Sequence, residues 1–309
     1  MKPNIYINDP PRFGPWGGGA QFVNSFYVHA SNNDRIEFIE CQQGDVPLDN
    51  ILITSLDSDQ LRGGVGFGQA HGYKTYIKPD VKLFLRVNEN DARKGTSGVD
   101  EKLLIASQHL DGTIFVSKWL QDYFNDKGWK CKNQTVIYNG VDQKTFIPLN
   151  DWRDDDRRPI NLVTHHWSDN WMKGFDIYEK LDSYVESNPN YTFTYIGRHR
   201  ANFRNTKHVR PLWGKELGEA LGENDVYISA SRFDPGPNHI LESLSCGLPT
   251  YVHAEGGGCV EFAGVDHVFK NWEELQNLLD AQKFEQNKSA INLRSWKECV
   301  EQYIDFIVK

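Results

Sequence analysis

The side chains best suited to hold an anion and a sugar lie in one short segment, Asp234-Pro235-Gly236-Pro237-Asn238-His239-Ile240-Leu241-Glu242. The apolar run Asp225 to Ser229 before it reads as a strand, and the residues from Asn238 onward read as a helix. The segment therefore sits at the carboxyl end of a strand, outside which open α/β sheets bind ligands. A helix start at that place offers amide N–H groups and a positive dipole end to phosphate. Gly236 lets a ligand approach the backbone, Pro237 sets φ for the first turn, and Asn238 is a favourable N-cap. The amides near His239 and Ile240 are then placed for a diphosphate. Glu242, one turn further, sets a carboxylate where ribose hydroxyls can donate to it, which leaves Asp234 for a sugar.

Positioning such a segment takes a parallel sheet, and the chain is patterned for two. Short apolar runs alternate with amphipathic stretches from end to end, as in strand-helix-strand units with both sheet faces covered. In the first half the expected strands are Ile5 to Asn8, Glu37 to Cys41, Ile51 to Ser55, Lys82 to Val87, Gly112 to Val116 and Gln134 to Ile137, with a helix over Lys118 to Lys127. Residues 148–159 lose apolar periodicity between two prolines and read as an exposed linker. Beyond it the alternation restarts: strand Ile160 to Thr164, helix Gly174 to Glu186, strand Tyr191 to Ile196, helix Lys215 to Leu221, strand Asp225 to Ser229, helix Asn238 to Cys246 and strand Pro249 to Val252. Trp296, Val300, Tyr303, Ile304 and Ile307 recur at helical spacing in the tail. The expected organisation is an α/β chain of two Rossmann-like doubly wound domains, 1–150 and 151–292, with 293–309 a helix crossing back onto the first.

Bulk properties narrow the function. A chain of 309 residues exceeds one ordinary core, and 39% hydrophobic with 25% charged residues is a folding composition. A formal net charge of -8 gives no global footprint for nucleic acid, so no nucleic-acid partner is expected. Cys41, Cys131, Cys246, Cys259 and Cys299 are scattered and odd in number, which points to reduced thiols. With no apolar leader and no membrane-length apolar window, the expected location is the cytoplasm.

After Glu242 the chain continues Ser243-Leu244-Ser245-Cys246-Gly247-Leu248-Pro249 and then Gly256-Gly257-Gly258-Cys259-Val260-Glu261. An acidic residue, seven others and a glutamate, followed by Cys-Gly-x-Pro and a Gly-Gly-x-x-Glu turn, resembles the retaining glycosyltransferases of family 4 (glycosyl transferases group 1). Val136-Ile137-Tyr138-Asn139-Gly140-Val141-Asp142 with Phe146-Ile147-Pro148 is similar to the passage closing that family's first domain. Met172-Lys173-Gly174-Phe175-Asp176 resembles its Lys-Gly element, which implies that Lys173 meets the donor diphosphate. Val209 to Leu212 matches the stretch whose backbone lines the nucleotide base. Gly17-Gly18-Gly19-Ala20 resembles the glycine loop that faces the diphosphate, implying roles for Gly18 and Gly19.

Two positions depart from the family. The arginine usually found shortly before the lysine is missing from Thr164-His165-His166-Trp167, leaving His166 or Arg198 as substitutes. The histidine expected near the transferred sugar is absent from Asn88-Glu89-Asn90-Asp91-Ala92-Arg93, so Asn88, Glu89, Asp91 and Arg93 become candidates for sugar or acceptor contacts.

The resemblance implies the GT-B fold, two domains facing across a cleft that closes over a nucleotide diphosphate sugar. It also implies transfer of the sugar to a glycan, glycolipid or other hydroxyl acceptor with retention, and no cofactor or catalytic metal. The implied catalytic group is Asp234, Lys173, Glu242 and Glu89. Asp57-Ser58-Asp59 imitates a metal-binding Asp-x-Asp but reads as a capped loop. A glycolipid acceptor leaves room for peripheral contact at the cytoplasmic face of a membrane. Three rival readings keep parts of the pattern: a glycosidase using Asp234 with Glu242, a noncatalytic sugar-nucleotide-binding protein, and a sugar-nucleotide epimerase of the same architecture.

Overall fold

A computed structural model describes residues 2–12, 14, 16–40, 46–57, 63–149 and 159–309. The chain divides into two compact units: Met1–Asp91 with Thr96–Gly140 and Arg294–Lys309, and Val141–Leu293 with Ala92–Gly95. The expected boundary at 150/151 and most of the expected linker lie outside the described residues, as do Cys41, Ser58 and Asp59.

The first unit holds β1 (Asn4–Ile7), β2 (Glu37–Ile39), β3 (Asn50–Ile53), β4 (Lys82–Val87), β5 (Gly112–Phe115) and β6 (Gln134–Val136). They pair in parallel in the order β2-β1-β3-β4-β5-β6. Central strands read as nearly unbroken apolar runs because helices cover both faces. One face packs Ile5, Ile7, Leu52, Phe84 and Ile114 against Phe22, Val23 and Phe26 of α1 (Gly18–Ala30). The other meets α2 (Phe67–Tyr76), α4 (Val99–Ala106) and α5 (Lys118–Asp126), with α3 (Asp91–Lys94) a single turn between strand and helix. Ser117 caps α5 by accepting the Leu120 amide at 3.1 Å.

The second unit holds β7 (Ile160–His166), β8 (Tyr191–Gly197), β9 (Lys207–Val209), β10 (Val226–Ser229), β11 (Thr250–His253) and β12 (Val268–Phe269). Their order is β12-β11-β10-β7-β8-β9, again all parallel. Chain order reverses between β7 and β10, and this switch point is where a doubly wound sheet opens a crevice for ligand. The helices are α6 (Phe175–Ser187), α7 (Gly214–Gly222), α8 (Asn238–Ser245), α9 (Gly258–Ala263) and α10 (Trp272–Ala281).

The last helix, α11 (Trp296–Ile307), belongs to the first unit. A reciprocal cap starts it: Ser295 Oγ accepts the Glu298 amide and Glu298 returns a carboxylate to the Ser295 amide at 2.7 Å. Cys299, Val300, Tyr303, Ile304 and Ile307 form one buried stripe in the first core, with the Tyr303 ring tilted against Phe22 at a centroid distance of 4.6 Å. Among the described residues no helix is long and apolar enough to cross a membrane, and Cys131, Cys246, Cys259 and Cys299 are free and buried.

Candidate functional site

The second sheet's switch point is built from the ends of β7 and β10. After β7 the chain makes a short 3-10 turn, Trp171–Lys173, started by Asn170, whose side chain accepts the Met172 amide at 2.8 Å. Gly174 follows at φ +91, and a Cβ there would lie 2.3 Å from both the Cβ and the carbonyl oxygen of Ala230. Only glycine fits, and the close crossing aims Lys173 inward. Its Nζ lies 2.8 Å from Asp234 Oδ2 and 3.3 Å from Ser231 Oγ.

Asp234 is fixed from the other side by the glycine turn. Its amide donates to the Gly256 carbonyl at 3.1 Å, and its own carbonyl accepts the Gly258 amide at 2.8 Å around Gly257, at φ +65. Phe233, immediately before, is held at φ +53, a strained setting for a residue with a side chain and one typical of functional loops. Arg232 anchors the loop base through two 2.8 Å hydrogen bonds to Asp176.

Lys173 and Asp234 are only 5% and 2% exposed. A second cation joins them: Arg93 Nη2 is 3.7 Å from Asp234 Oδ2, residues 92–95 clustering with the second unit although they lie early in the chain. Burial alone would raise the Asp234 carboxyl, but Arg93 and Lys173 outweigh it and hold the group well below the usual carboxylate range. Burial likewise pulls the Lys173 ammonium below its ordinary value, and Asp234 opposes that. One carboxylate between two cations leaves the cluster with a net charge of +1.

Around it stand three buried histidines. Burial, followed by the Lys173 charge, keeps both His166 and His239 well below the ordinary histidine range, so they are neutral. His166 Nε2 meets Tyr178 Oη at 2.8 Å, and His239 Nε2 meets Ser229 Oγ at 2.9 Å. His166 therefore supplies no positive charge in place of the missing arginine. The cation near the lysine is Arg93, which sequence reasoning had placed as a sugar or acceptor contact.

No protein-family model matches the chain, and no curated protein matches it in sequence. Solved structures do. Sucrose-phosphate synthase from Thermosynechococcus elongatus superposes with a TM-score of 0.68 at 13% identity, covering 99% of this chain and 97% of that one. HepE of Anabaena in complex with UDP and glucose gives 0.68 at 13% identity over 100% of both chains. The apo form of the lipopolysaccharide outer core galactosyltransferase WaaB gives 0.64 at 11% identity, covering 98% and 99%. The fold is GT-B.

In this GT-B chain the remaining sequence-derived candidates take definite places. Helix α8 does begin at Asn238, but Pro237 holds the N-cap position with φ -78 and ψ 95, and Asn238 is the first helical residue. The expected cap is thus corrected by one residue, since proline's fixed φ tolerates the extended setting that an N-cap needs. The Ile240 amide already donates to the Pro237 carbonyl at 3.1 Å. Gly236 stands half-buried between Asp234 and the helix.

Glu242 is buried on α8, and its Oε2 lies 2.7 Å from His165 Nε2. His165 and His166 are strand neighbours that alternation points to opposite faces, which fits a hydrogen-bonding role for His165, while its partner Tyr227 carries no sequence signal of its own. Val209 ends β9, and Leu212 lies in the loop before α7. Arg198 follows β8 with its guanidinium 4.1 Å above the Trp167 ring.

In the first unit Gly18 and Gly19 form the opening turn of α1 rather than a loop, with Gly17 at the N-cap. Asn88 and Glu89 follow β4 and are half-buried. Asp91 opens α3 and reaches forward to the start of α4. Its carboxylate accepts the amides of Val99 and Asp100 at 3.1 and 3.0 Å and the Thr96 hydroxyl at 2.9 Å, so it is committed to starting α4. Asp57 pairs with Lys102 at 3.0 Å, and no group of three or more His, Cys, Asp or Glu suited to a metal occurs among the described residues.

Proposed function

We propose that the chain is a glycosyltransferase that moves a sugar from a nucleotide diphosphate sugar to a glycan, glycolipid or other hydroxyl acceptor, with retention and without a catalytic metal. The observation that carries this is the +1 cluster of Arg93, Asp234 and Lys173 at the β7/β10 switch point, next to the start of α8. A departing diphosphate gains negative charge as the glycosidic bond breaks. Fixed cations in a dry site stabilise that change without reorganising. Lys173 and Arg93 are assigned to the diphosphate, Asp234 to orienting them and contacting the sugar, and Glu242 to the ribose. Held so far below the carboxylate range, Asp234 is a poor proton acceptor. The resemblance assigns the acceptor proton to the donor phosphate itself. The GT-B neighbours support the donor class, HepE having been solved with UDP and glucose and with UDP-glucose.

The test is a thermal-shift panel of UDP, GDP and ADP with their sugars. A ligand at 100 times its dissociation constant stabilises the folded state by about 2.7 kcal/mol. At least one member shifts the transition, the Glu242→Ala variant loses that shift, and transfer with a supplied acceptor survives EDTA. No shift with any nucleotide would sink the proposal, and donor binding with neither transfer nor hydrolysis would leave a binding protein.

A further inference from the structure

We infer that His165 is a positioning residue for the nucleotide ribose, acting through Glu242. The inference rests on the donor-site reading above. His165 Nε2 is 2.7 Å from Glu242 Oε2, and both side chains are at most 10% exposed. A carboxylate is an acceptor only, so Nε2 must carry the proton and donate. The other ring nitrogen, Nδ1, is 3.1 Å from Tyr227 Oη. Burial holds the Tyr227 phenol well above its ordinary pKa, so it stays an O–H donor and suits the Nδ1 lone pair. Its oxygen in turn accepts the His165 backbone amide at 3.1 Å. The Tyr227 hydroxyl also lies 3.3 Å from the His165 carbonyl as a donor, so Tyr227 holds the ring and its strand from behind while Nε2–H donates to the carboxylate.

The consequence concerns selectivity. A carboxylate offers about four lone-pair sites, and His165 takes one on Oε2. That bond fixes the orientation of the carboxylate, so a hydroxyl donor that reaches it meets it in one geometry. A ribose supplies such donors, and a deoxyribose lacks one of them. A merely structural tie between β7 and α8 would fix the helix without making the site prefer either sugar.

The experiment compares dissociation constants, by calorimetry, for whichever of UDP, GDP and ADP binds, against its 2′-deoxy and 3′-deoxy forms. The wild type favours the ribonucleotide over at least one deoxy form by about 10- to 100-fold, the range of a hydrogen bond to a charged group. In His165→Ala the ribonucleotide weakens, the deoxy form does not, and the ratio falls to about threefold or less. His165→Gln, whose amide N–H reaches a similar place, restores most of the ratio and serves if the alanine variant folds poorly. Equal weakening of both forms, or an unchanged ratio in the two variants, overturns the inference while leaving the donor site standing. Failure of the wild type to bind any of the three diphosphates overturns the donor site and this inference together.

Discussion

Replacing Asp234 by asparagine keeps the shape of the site and removes one charge. Lys173 is then left as an ammonium 5% exposed, with Arg93 near the same position and no carboxylate between them. Removing one partner of a buried ion pair costs about 3–5 kcal/mol, because the survivor keeps its desolvation penalty and loses its compensation. For a second unit of roughly 150 residues, each kcal/mol moves the transition by about 2–4 °C. The expected loss is about 6–20 °C in differential scanning calorimetry near neutral pH.

The pH dependence separates charge from shape. Lys173 is depressed in the folded state chiefly by burial, so between its folded value and the ordinary lysine value the unfolded chain binds more protons. Stability rises with pH across that window. Losing Asp234 removes the main group that opposes this depression, so the window opens at lower pH in the variant. The penalty therefore shrinks as pH rises toward the ordinary lysine value of about 10. On the acid side the wild type loses stability as pH falls below the unfolded carboxylate value toward the depressed value of Asp234, and the variant lacks that limb. The double variant with Lys173→Met recovers most of the loss. A variant as stable as the wild type, a penalty unchanged at high pH, or no recovery in the double variant would refute the reasoning.

Two further outcomes follow from the same geometry. Gly174→Ala forces a Cβ to within 2.3 Å of Ala230 at φ +91 and costs about 2–4 kcal/mol in urea denaturation. Gly214→Ala, at φ +55 with nothing within 4 Å of the added atom, costs about 1 kcal/mol, and equal losses at the two sites would count against the crowding argument. Arg93→Ala weakens nucleotide diphosphate binding about tenfold, and less at high salt, with little change in melting because the side chain is 30% exposed. An unchanged dissociation constant at low salt would remove Arg93 from the diphosphate.

The strands were the most legible part, because a parallel sheet covered on both faces needs nearly continuous apolar runs such as the one within Lys82–Val87, interrupted by Arg86, and the limits of that strand match the pattern. Helix α1 was hidden because its first turn is Gly18-Gly19-Ala20, residues that read as loop until Phe22, Val23 and Phe26 are seen buried against the sheet. Helix α2, Phe67–Tyr76, buries only Ala70 among its residues and shows no apolar stripe to detect.

In the site, Lys173, Asp234 and Glu242 were visible by type and spacing, but their partners were not. Asp234 lies 141 positions from Arg93, and Glu242 lies 77 from His165, separations at which no local periodicity carries information. The fate of Asp91 was undetectable for a different reason. A carboxylate capping a helix and one awaiting ligand have the same sequence appearance, and only the amides of Val99 and Asp100 distinguish them.

The return of α11 to the first unit also bears on how the protein is made. The first sheet and α1 leave the ribosome long before Cys299, Val300, Tyr303, Ile304 and Ile307 exist, yet those residues fill one side of its core. At about 5–20 residues per second, the interval between Gly140 and Arg294 lasts roughly 8–30 s. Throughout it the nascent first unit carries an apolar face with its covering helix still unmade. That period of exposure, rather than the final stability of either unit, is the stage at which synthesis in a foreign host is most vulnerable to aggregation, and at which a chaperone has most to protect.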